Sequence, residues 1–278
     1  VSLVLGGGGA RGFAHLGVLR ALEELGIPVD MIGGTSMGAP IAGFVAQGAN
    51  CEEISSRARR AYRNLIDFTL PIVSLIAGER ISGAIRRETG DWDIEDFWLP
   101  FFCVATNLTT GQPVVHSRGN SWRAIRSSVS IPGVLPPLPV DGALMVDGAV
   151  LNNLPIDVMR ELNPYGKVIA VDVTPPRGPT ARSDYGPGLS GWKHLAARLL
   201  PWRKAPAVPG IASTILQATM AGSALKRQQD LEQKLADVYL NINVESVGLL
   251  EFDAQDEAAQ LGYEGAIGPL RSWQESRP

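Results

Sequence analysis

Two short apolar runs near the start of the chain each break on glycine and each feed a helical pattern. Val1-Ser2-Leu3-Val4-Leu5 opens onto Gly6-Gly7-Gly8-Gly9, and Val29-Asp30-Met31-Ile32 opens onto Gly33-Gly34. Apolar runs this short and this continuous read as strands buried on both faces. Between them, Phe13 to Leu25 places Val18, Leu22 and Leu25 on one helical face, with Glu23 and Glu24 off it. Gly26 and Pro28 end that helix. A further helix follows the second run and ends near Gly48. A strand–helix–strand unit returns the chain to the sheet in the same direction, so the pairing is parallel. The expected fold is α/β: a three-layer α/β/α sandwich around a mostly parallel central sheet.

Downstream, about Glu52 to Glu88 reads as mostly helical, with Arg57, Arg59, Arg60 and Arg63 on a solvated face. Phe101 to Thr106, Gln112 to Ser117, Val168 to Val173 and Val238 to Val244 read as strands, and Leu144-Met145-Val146 leads into Asp147-Gly148-Ala149. Residues 174–210 are rich in Pro, Gly and Ser and read as a flap. No internal repeat interrupts the pattern, so residues 1–278 read as one catalytic domain.

Composition removes several function classes. A net charge of −3 excludes a nucleic-acid partner. Two cysteines, Cys51 and Cys103, make no disulfide framework, and no Cys/His spacing suggests a metal. No apolar run is long enough to span a bilayer and no signal peptide precedes the first strand, so a cytoplasmic location, or the cytoplasmic face of a membrane, is expected. The chain begins in a strand without Met and reads as a piece of a longer protein. Nothing in it specifies an oligomeric state.

The chemistry is concentrated early. Gly34-Thr35-Ser36-Met37-Gly38 is a G-x-S-x-G motif between an apolar strand and a helix, the context in which a serine nucleophile sits on a sharp turn. Its glycines, Gly34 and Gly38, permit that turn, and the helix beginning at Met37 sets its positive end beside the hydroxyl. The upstream loop Gly6 to Gly12 can turn backbone amides toward an oxyanion. The same loop, as Gly7-x-Gly9-x-x-Gly12, matches a dinucleotide fingerprint with Asp30 as its acid, which would make the chain an oxidoreductase. Asp30 begins its strand, however, whereas a ribose-binding acid belongs at a strand's end. The nearby serine favours the oxyanion reading.

A serine needs a base. His194 falls in the Pro/Gly-rich flap, His15 lies one turn past the glycine loop, and His116 lies on a short strand with nothing to orient it. Asp147 emerges where an apolar strand ends, and partial desolvation would bring its pKa toward the working range. The other reading of Asp147-Gly148 is an ordinary turn.

These residues together resemble the patatin-like phospholipases, and most closely the catalytic domain of neuropathy target esterase and its bacterial relatives. The likeness is carried by Leu5 to Gly12, Val29 to Ser36, Trp122 to Arg126, Leu135-Pro136-Pro137, Asn152-Asn153-Leu154-Pro155 and Leu189 to Trp192, so it runs over nearly the whole chain. It implies a Ser–Asp dyad without histidine, Ser36 as nucleophile and Asp147 as general base. It also implies an oxyanion hole from Gly7, Gly8 and Gly9 with Arg11, supported by Gly12 and Gly148. Asp30 stands at the position of an acid needed for esterase activity, although its place at a strand start reads as structural. Ala149 replaces the second glycine of Asp-Gly-Gly and would restrict a positive φ there.

The resemblance implies hydrolysis of fatty-acyl esters of phospholipids or lysophospholipids, with no cofactor. An acyltransferase would use the same dyad and differ only in the acceptor. A lipid substrate implies peripheral membrane contact, and Trp192, Leu195, Ala196 and Leu199 would share one face of a helix between Leu189 and Trp202.

Overall fold

The computed structural model describes residues 1–62, 67–175, 187–188, 190–192 and 211–276. Strand β1 (Ser2–Leu5) leads through the glycine loop into helix α1 (Ala14–Glu24), and β2 (Met31–Thr35) leads into α2 (Gly38–Ala46). Then come α3 (Cys51–Tyr62), α4 (Glu79–Thr89), β3 (Phe101–Asn107), β4 (Gln112–His116), α5 (Ser121–Ser128), β5 (Leu138–Val140) and β6 (Ala143–Asp147). The chain continues with α6 (Ile156–Leu162), β7 (Val168–Asp172), α7 (Ile211–Glu232), β8 (Val238–Asn241) and α8 (Gln255–Glu275).

The eight strands of the described residues form one sheet in the order β5-β6-β3-β2-β1-β7-β8, with β4 also paired to β3. From β3 through β2, β1 and β7 to β8 the pairings are parallel, while β3 pairs antiparallel with β4 along one edge and with β6 along the other, beyond β2, and β6 pairs antiparallel with β5. The strands alternate as a doubly covered sheet must. Leu3, Leu5, Ile32, Phe101, Ile169 and Val171 pack into one core with α1, α2 and the C-terminal helix. Val4, Phe102, Val104, Val168 and Ala170 point the other way, into a second core with Leu154, Ile156 and Met159. Two apolar faces, each under helices, make the expected α/β/α sandwich.

The layer over β1 is held by backbone contact. A Cβ on Gly17 of α1 would lie 1.8 Å from the Ala259 carbonyl oxygen of α8, and one on Gly262 would lie 1.9 Å from that of Ala14. Only glycines at both positions let these helices cross so closely.

One stretch departs from the expected pattern. The region from Glu52 to Glu88 is not continuous helix: α3 and α4 flank an apolar hairpin around residues 67–77. Pro71 removes an amide there and Gly78, at φ 85°, sets the turn into α4. Of the basic face of α3, Arg59 and Arg60 are exposed and pair with Asp256 and Glu88, whereas Arg57 is half-buried, donating to Gln47 and lying over the Phe44 ring; Arg63 lies outside the described residues. Most of the 174–210 flap, including His194, also lies outside them.

Candidate active site

Ser36 joins β2 to α2 with φ at +53°, a left-handed conformation rare for a side-chain-bearing residue. The turn exists because its neighbours lack side chains. A Cβ on Gly38 would sit 2.1 Å from the Leu5 carbonyl oxygen, and one on Gly34 would sit 2.7 Å from the Gly38 carbonyl carbon. Strand, turn and helix are thus compressed against β1, which drives the Ser36 side chain out of the turn toward β6.

The Ser36 hydroxyl donates to Asp147 Oδ2 at 2.7 Å, across 111 residues of sequence. The other carboxylate oxygen, Oδ1, accepts the Ala149 amide at 2.8 Å. Both residues are buried, Ser36 at 5% and Asp147 at 1% exposure. Burial pushes the Asp147 carboxyl up to about 7, against the Ala149 amide and the Ser36 hydroxyl, which both favour the charged form. A serine therefore faces a carboxylate whose affinity for a proton is matched to neutral pH.

Sequence register brings this about. Asp147 is the last residue of β6 and pairs antiparallel with Ala105 of β3, and Thr35 of β2 pairs parallel with the preceding β3 residue, Val104. Gly148 must lack a side chain, since a Cβ there would lie 2.2 Å from the Val104 carbonyl oxygen. Ala149 is in a short 3-10 turn, and positive φ among non-glycines is confined to Ser36, Asp141 and Lys234 of the described residues. The alanine thus meets no backbone restriction at the place where a glycine was expected.

The glycine loop lies beside Ser36, with a Cβ position on Gly7 only 2.8 Å from Ser36 Cβ. Its amides are not equivalent. Of the expected oxyanion-hole residues Gly7, Gly8 and Gly9, Gly7 donates its amide to the Asn153 carbonyl at 3.1 Å. Gly8 and Gly9 have no such carbonyl partner among the described residues. The Arg11 side chain turns away and donates through Nε to the Val247 carbonyl at 2.7 Å, anchoring the loop to the chain's C-terminal part. Gly12 makes room for the residue after the serine: a Cβ there would be 2.2 Å from Met37 Cγ.

Three further residues hold the geometry; Asn153 lies in one of the stretches that carry the family likeness, but no role was attached to it there. Asn153 donates its side-chain amide to the Gly7 carbonyl at 3.1 Å. Ser128 accepts the Ser36 amide at 3.0 Å and donates to the Val104 carbonyl at 2.7 Å. His15 is fully buried, its pKa pushed down to about 4 by desolvation despite the Gly6 carbonyl and Asp172. It is neutral, and its Nε2–H donates to the Gly6 carbonyl at 2.7 Å. His116 pairs with Ser127 at 3.1 Å.

Asp30 is not brought to the site. It precedes β2, whereas Ser36 follows it, and five extended residues span about 16 Å. Its carboxylate is exposed, and its amide donates to the Val1 carbonyl at 2.8 Å. The same placement puts it at the opposite end of the sheet from the glycine loop, which removes the acid from the dinucleotide fingerprint. Trp192 is 83% exposed, and the remainder of the candidate interfacial segment, residues 193–202, lies outside the described residues. Among the described residues no helix is long and apolar enough to cross a membrane.

A strained serine turn on a parallel α/β sheet, hydrogen-bonded to a buried carboxylate beside a glycine-rich loop, defines a class of serine–carboxylate α/β proteins. Residues 3–160 match the patatin-like phospholipase family, and the chain belongs to it. It is 39% identical over 280 residues to "Lysophospholipase NTE1" of Mycosarcoma maydis, covering 98% of this chain and 15% of that protein. It is 38% identical over 283 residues to "Patatin-like phospholipase domain-containing protein 6" of Mus musculus, covering 98% and 21%. "Neuropathy target esterase sws" of Drosophila melanogaster is 36% identical over 301 residues, covering 100% and 21%. The chain thus spans about a fifth of the length of these relatives or less. The fold is shared with VipD from Legionella pneumophila, at a TM-score of 0.51 and 15% identity over 98% of this chain and 66% of that one.

Proposed function

We propose that residues 1–278 form a catalytic unit that hydrolyses fatty-acyl esters of lysophospholipids or phospholipids through an acyl-enzyme on Ser36. The observation that carries this reading is the 2.7 Å hydrogen bond from a strained, buried serine to a carboxylate whose pKa lies near 7. The names of the relatives supply the lipid class.

Asp147 Oδ2 takes the Ser36 proton as Oγ attacks the ester carbonyl carbon, and the carbonyl oxygen becomes an oxyanion. The Gly8 and Gly9 amides, which have no backbone carbonyl partner among the described residues, stabilise that charge. Collapse of the intermediate breaks the ester bond, and Asp147 returns its proton to the departing alkoxide. Water then attacks the acyl-enzyme, giving its proton to the same carboxylate, and Ser36 recovers a proton as the fatty acid leaves. Asp147 is held for this shuttle by the Ala149 amide, which leaves Oδ2 alone toward the serine.

The test is intact mass after a fluorophosphonate probe, followed by fatty-acid release from lysophosphatidylcholine. One probe adduct is expected on the wild-type chain and none on Ser36→Ala. Asp147→Asn should lose on the order of 10³-fold or more in turnover, by analogy with loss of a general base. Folded Ser36→Ala or Asp147→Asn chains with near-wild-type release would sink the mechanism.

A further inference from the structure

Between α3 and α4 the chain runs Asp67-Phe68-Thr69-Leu70-Pro71-Ile72-Val73-Ser74-Leu75-Ile76-Ala77, and residues 68–77 carry no charge. Its base is a hairpin. An antiparallel bridge joins Phe68 to Ile76, the Thr69 amide donates to the Leu75 carbonyl at 3.3 Å, and the Ala77 amide donates to the Asp67 carbonyl at 2.9 Å. The Asp67 carboxylate turns inward and accepts the amides of Gly78 and Arg80 at 3.1 and 3.0 Å. The charge at the base is therefore spent on the start of α4 and kept off the tip.

The tip inverts the usual distribution of apolar side chains. Phe68, Leu70, Ile72 and Val73 are 82%, 73%, 81% and 71% exposed. Four large apolar side chains within six consecutive residues form a contiguous patch, which marks an interaction site rather than scattered surface. The backbone there is also suited to leaving water. Pro71 has no amide, and the Ile72 amide is satisfied by the Leu70 carbonyl at 2.7 Å. Fewer unpaired donors means a smaller penalty in a medium that cannot hydrogen-bond.

The hairpin rests on a segment that also supports Asp147. Leu75 and Ile76 donate to the carbonyls of Gly133 and Val134, both at 3.0 Å, and the Ser130 carbonyl a few residues away accepts the Asp147 amide at 2.9 Å.

We propose that residues 68–73 are an interfacial anchor that enters the hydrocarbon margin of a lipid surface and seats the Ser36 site against it. The proposal rests on the lipid-ester reading for its choice of partner. An exposed apolar tip without charge needs a matching pocket on a protein, whereas hydrocarbon receives it in any orientation. The hairpin rests on the short segment whose Ser130 carbonyl holds the Asp147 amide, so insertion of the tip seats that support, and the site with it, toward the lipid.

The test compares this chain with a Phe68→Ser, Ile72→Ser double variant in co-sedimentation with phosphatidylcholine vesicles and in hydrolysis of a short-chain, water-soluble ester. Vesicle affinity is expected to fall at least tenfold, with soluble-ester turnover within twofold. A wild-type chain that does not bind vesicles, or a folded double variant that binds them equally well, overturns the proposal. So does a self-associated wild-type chain that the double variant renders monomeric without changing vesicle binding, since the tip would then be a contact between copies. Should the double variant fold poorly, Ile72→Trp serves instead. Brominated phosphatidylcholine should quench its fluorescence beyond the wild-type level, and equal quenching overturns the anchor. A chain that hydrolyses no ester yet loses vesicle binding on substitution supports the anchor and overturns the esterase reading alone.

Discussion

Asn153 grips the Gly7 peptide from both sides. Its main-chain carbonyl accepts the Gly7 amide and its side-chain amide donates to the Gly7 carbonyl, each at 3.1 Å. The two residues are 146 positions apart, so this clamp ties the glycine loop after β1 to the chain that follows Asp147. A loop whose amides act on an oxyanion must be held before the reaction begins. Asn153 does this holding while touching neither reacting atom.

Asn153→Ala leaves the buried Gly7 carbonyl without its side-chain donor, a loss of about 1–3 kcal/mol. The expected outcome is a roughly 10–100-fold lower rate of fluorophosphonate labelling of Ser36, by the same energies. The loss should appear in kcat more than in KM, because the clamp serves the transition state. A merely structural residue would lower the melting temperature and leave the labelling rate of the folded fraction unchanged.

Asp147 must be ionised to accept a proton. With its pKa at about 7, kcat/KM should rise with pH through that value and level off above it. A pH profile that is flat between 5 and 9 would count against Asp147 as the base.

The same shift has a stability consequence of fixed sign. The folded value of about 7 lies above the ordinary 3.8, so the group's favourable contribution is complete below the lower value and is lost as pH rises through the higher one. The cost of ionising buried Asp147 approaches about 4 kcal/mol. Asp147→Asn, which carries no charge, should therefore melt several degrees above wild type at pH 8 and close to it at pH 4. Thermal unfolding across pH checks this, and an equal gap at both ends would remove the burial argument.

Ser128 supports the serine turn from outside the motif. Ser128→Ala leaves the Ser36 amide without its 3.0 Å acceptor in a buried position. Loss of such a partner costs about 1–3 kcal/mol, and both melting temperature and kcat should fall. Ser128→Thr, which keeps the hydroxyl, should recover more of the rate than Ser128→Ala does.

The two small residues of the motifs should respond oppositely. Gly38→Ala drives a Cβ to 2.1 Å from the Leu5 carbonyl oxygen and should abolish soluble, folded chain. Ala149→Gly relieves nothing, because Ala149 lies outside the positive-φ positions, and esterase rates should stay within about twofold. Circular dichroism and turnover on both variants make the comparison.

Much of this arrangement could be read locally. A strand that ends in glycine and feeds a helix is specified by neighbours in sequence, and so are the parallel sheet and the serine turn. The apolar hairpin shows where local reading stops. Its Leu, Ile and Val residues look like a buried face continuing the helical stretch from Glu52, yet nothing packs over Phe68 or Ile72 among the described residues. Burial depends on which surfaces the tertiary fold brings together, and composition cannot supply that.

By itself, then, the sequence determined a parallel α/β sandwich, the serine on its turn, and the glycine loop one helix upstream, because each depends on hydrogen bonds and steric limits within a few residues. The resemblance pointed to Asp147, but only the tertiary structure decided its carboxyl environment. The antiparallel register of β6 on β3 sets its carboxylate 2.7 Å from Ser36, and burial raises its pKa toward neutrality. The same long-range packing decided that Asn153 holds Gly7 and that Asp30 stands at the far end of the sheet. Distance and desolvation are properties of the folded chain, and they convert a serine motif into a candidate reactive site.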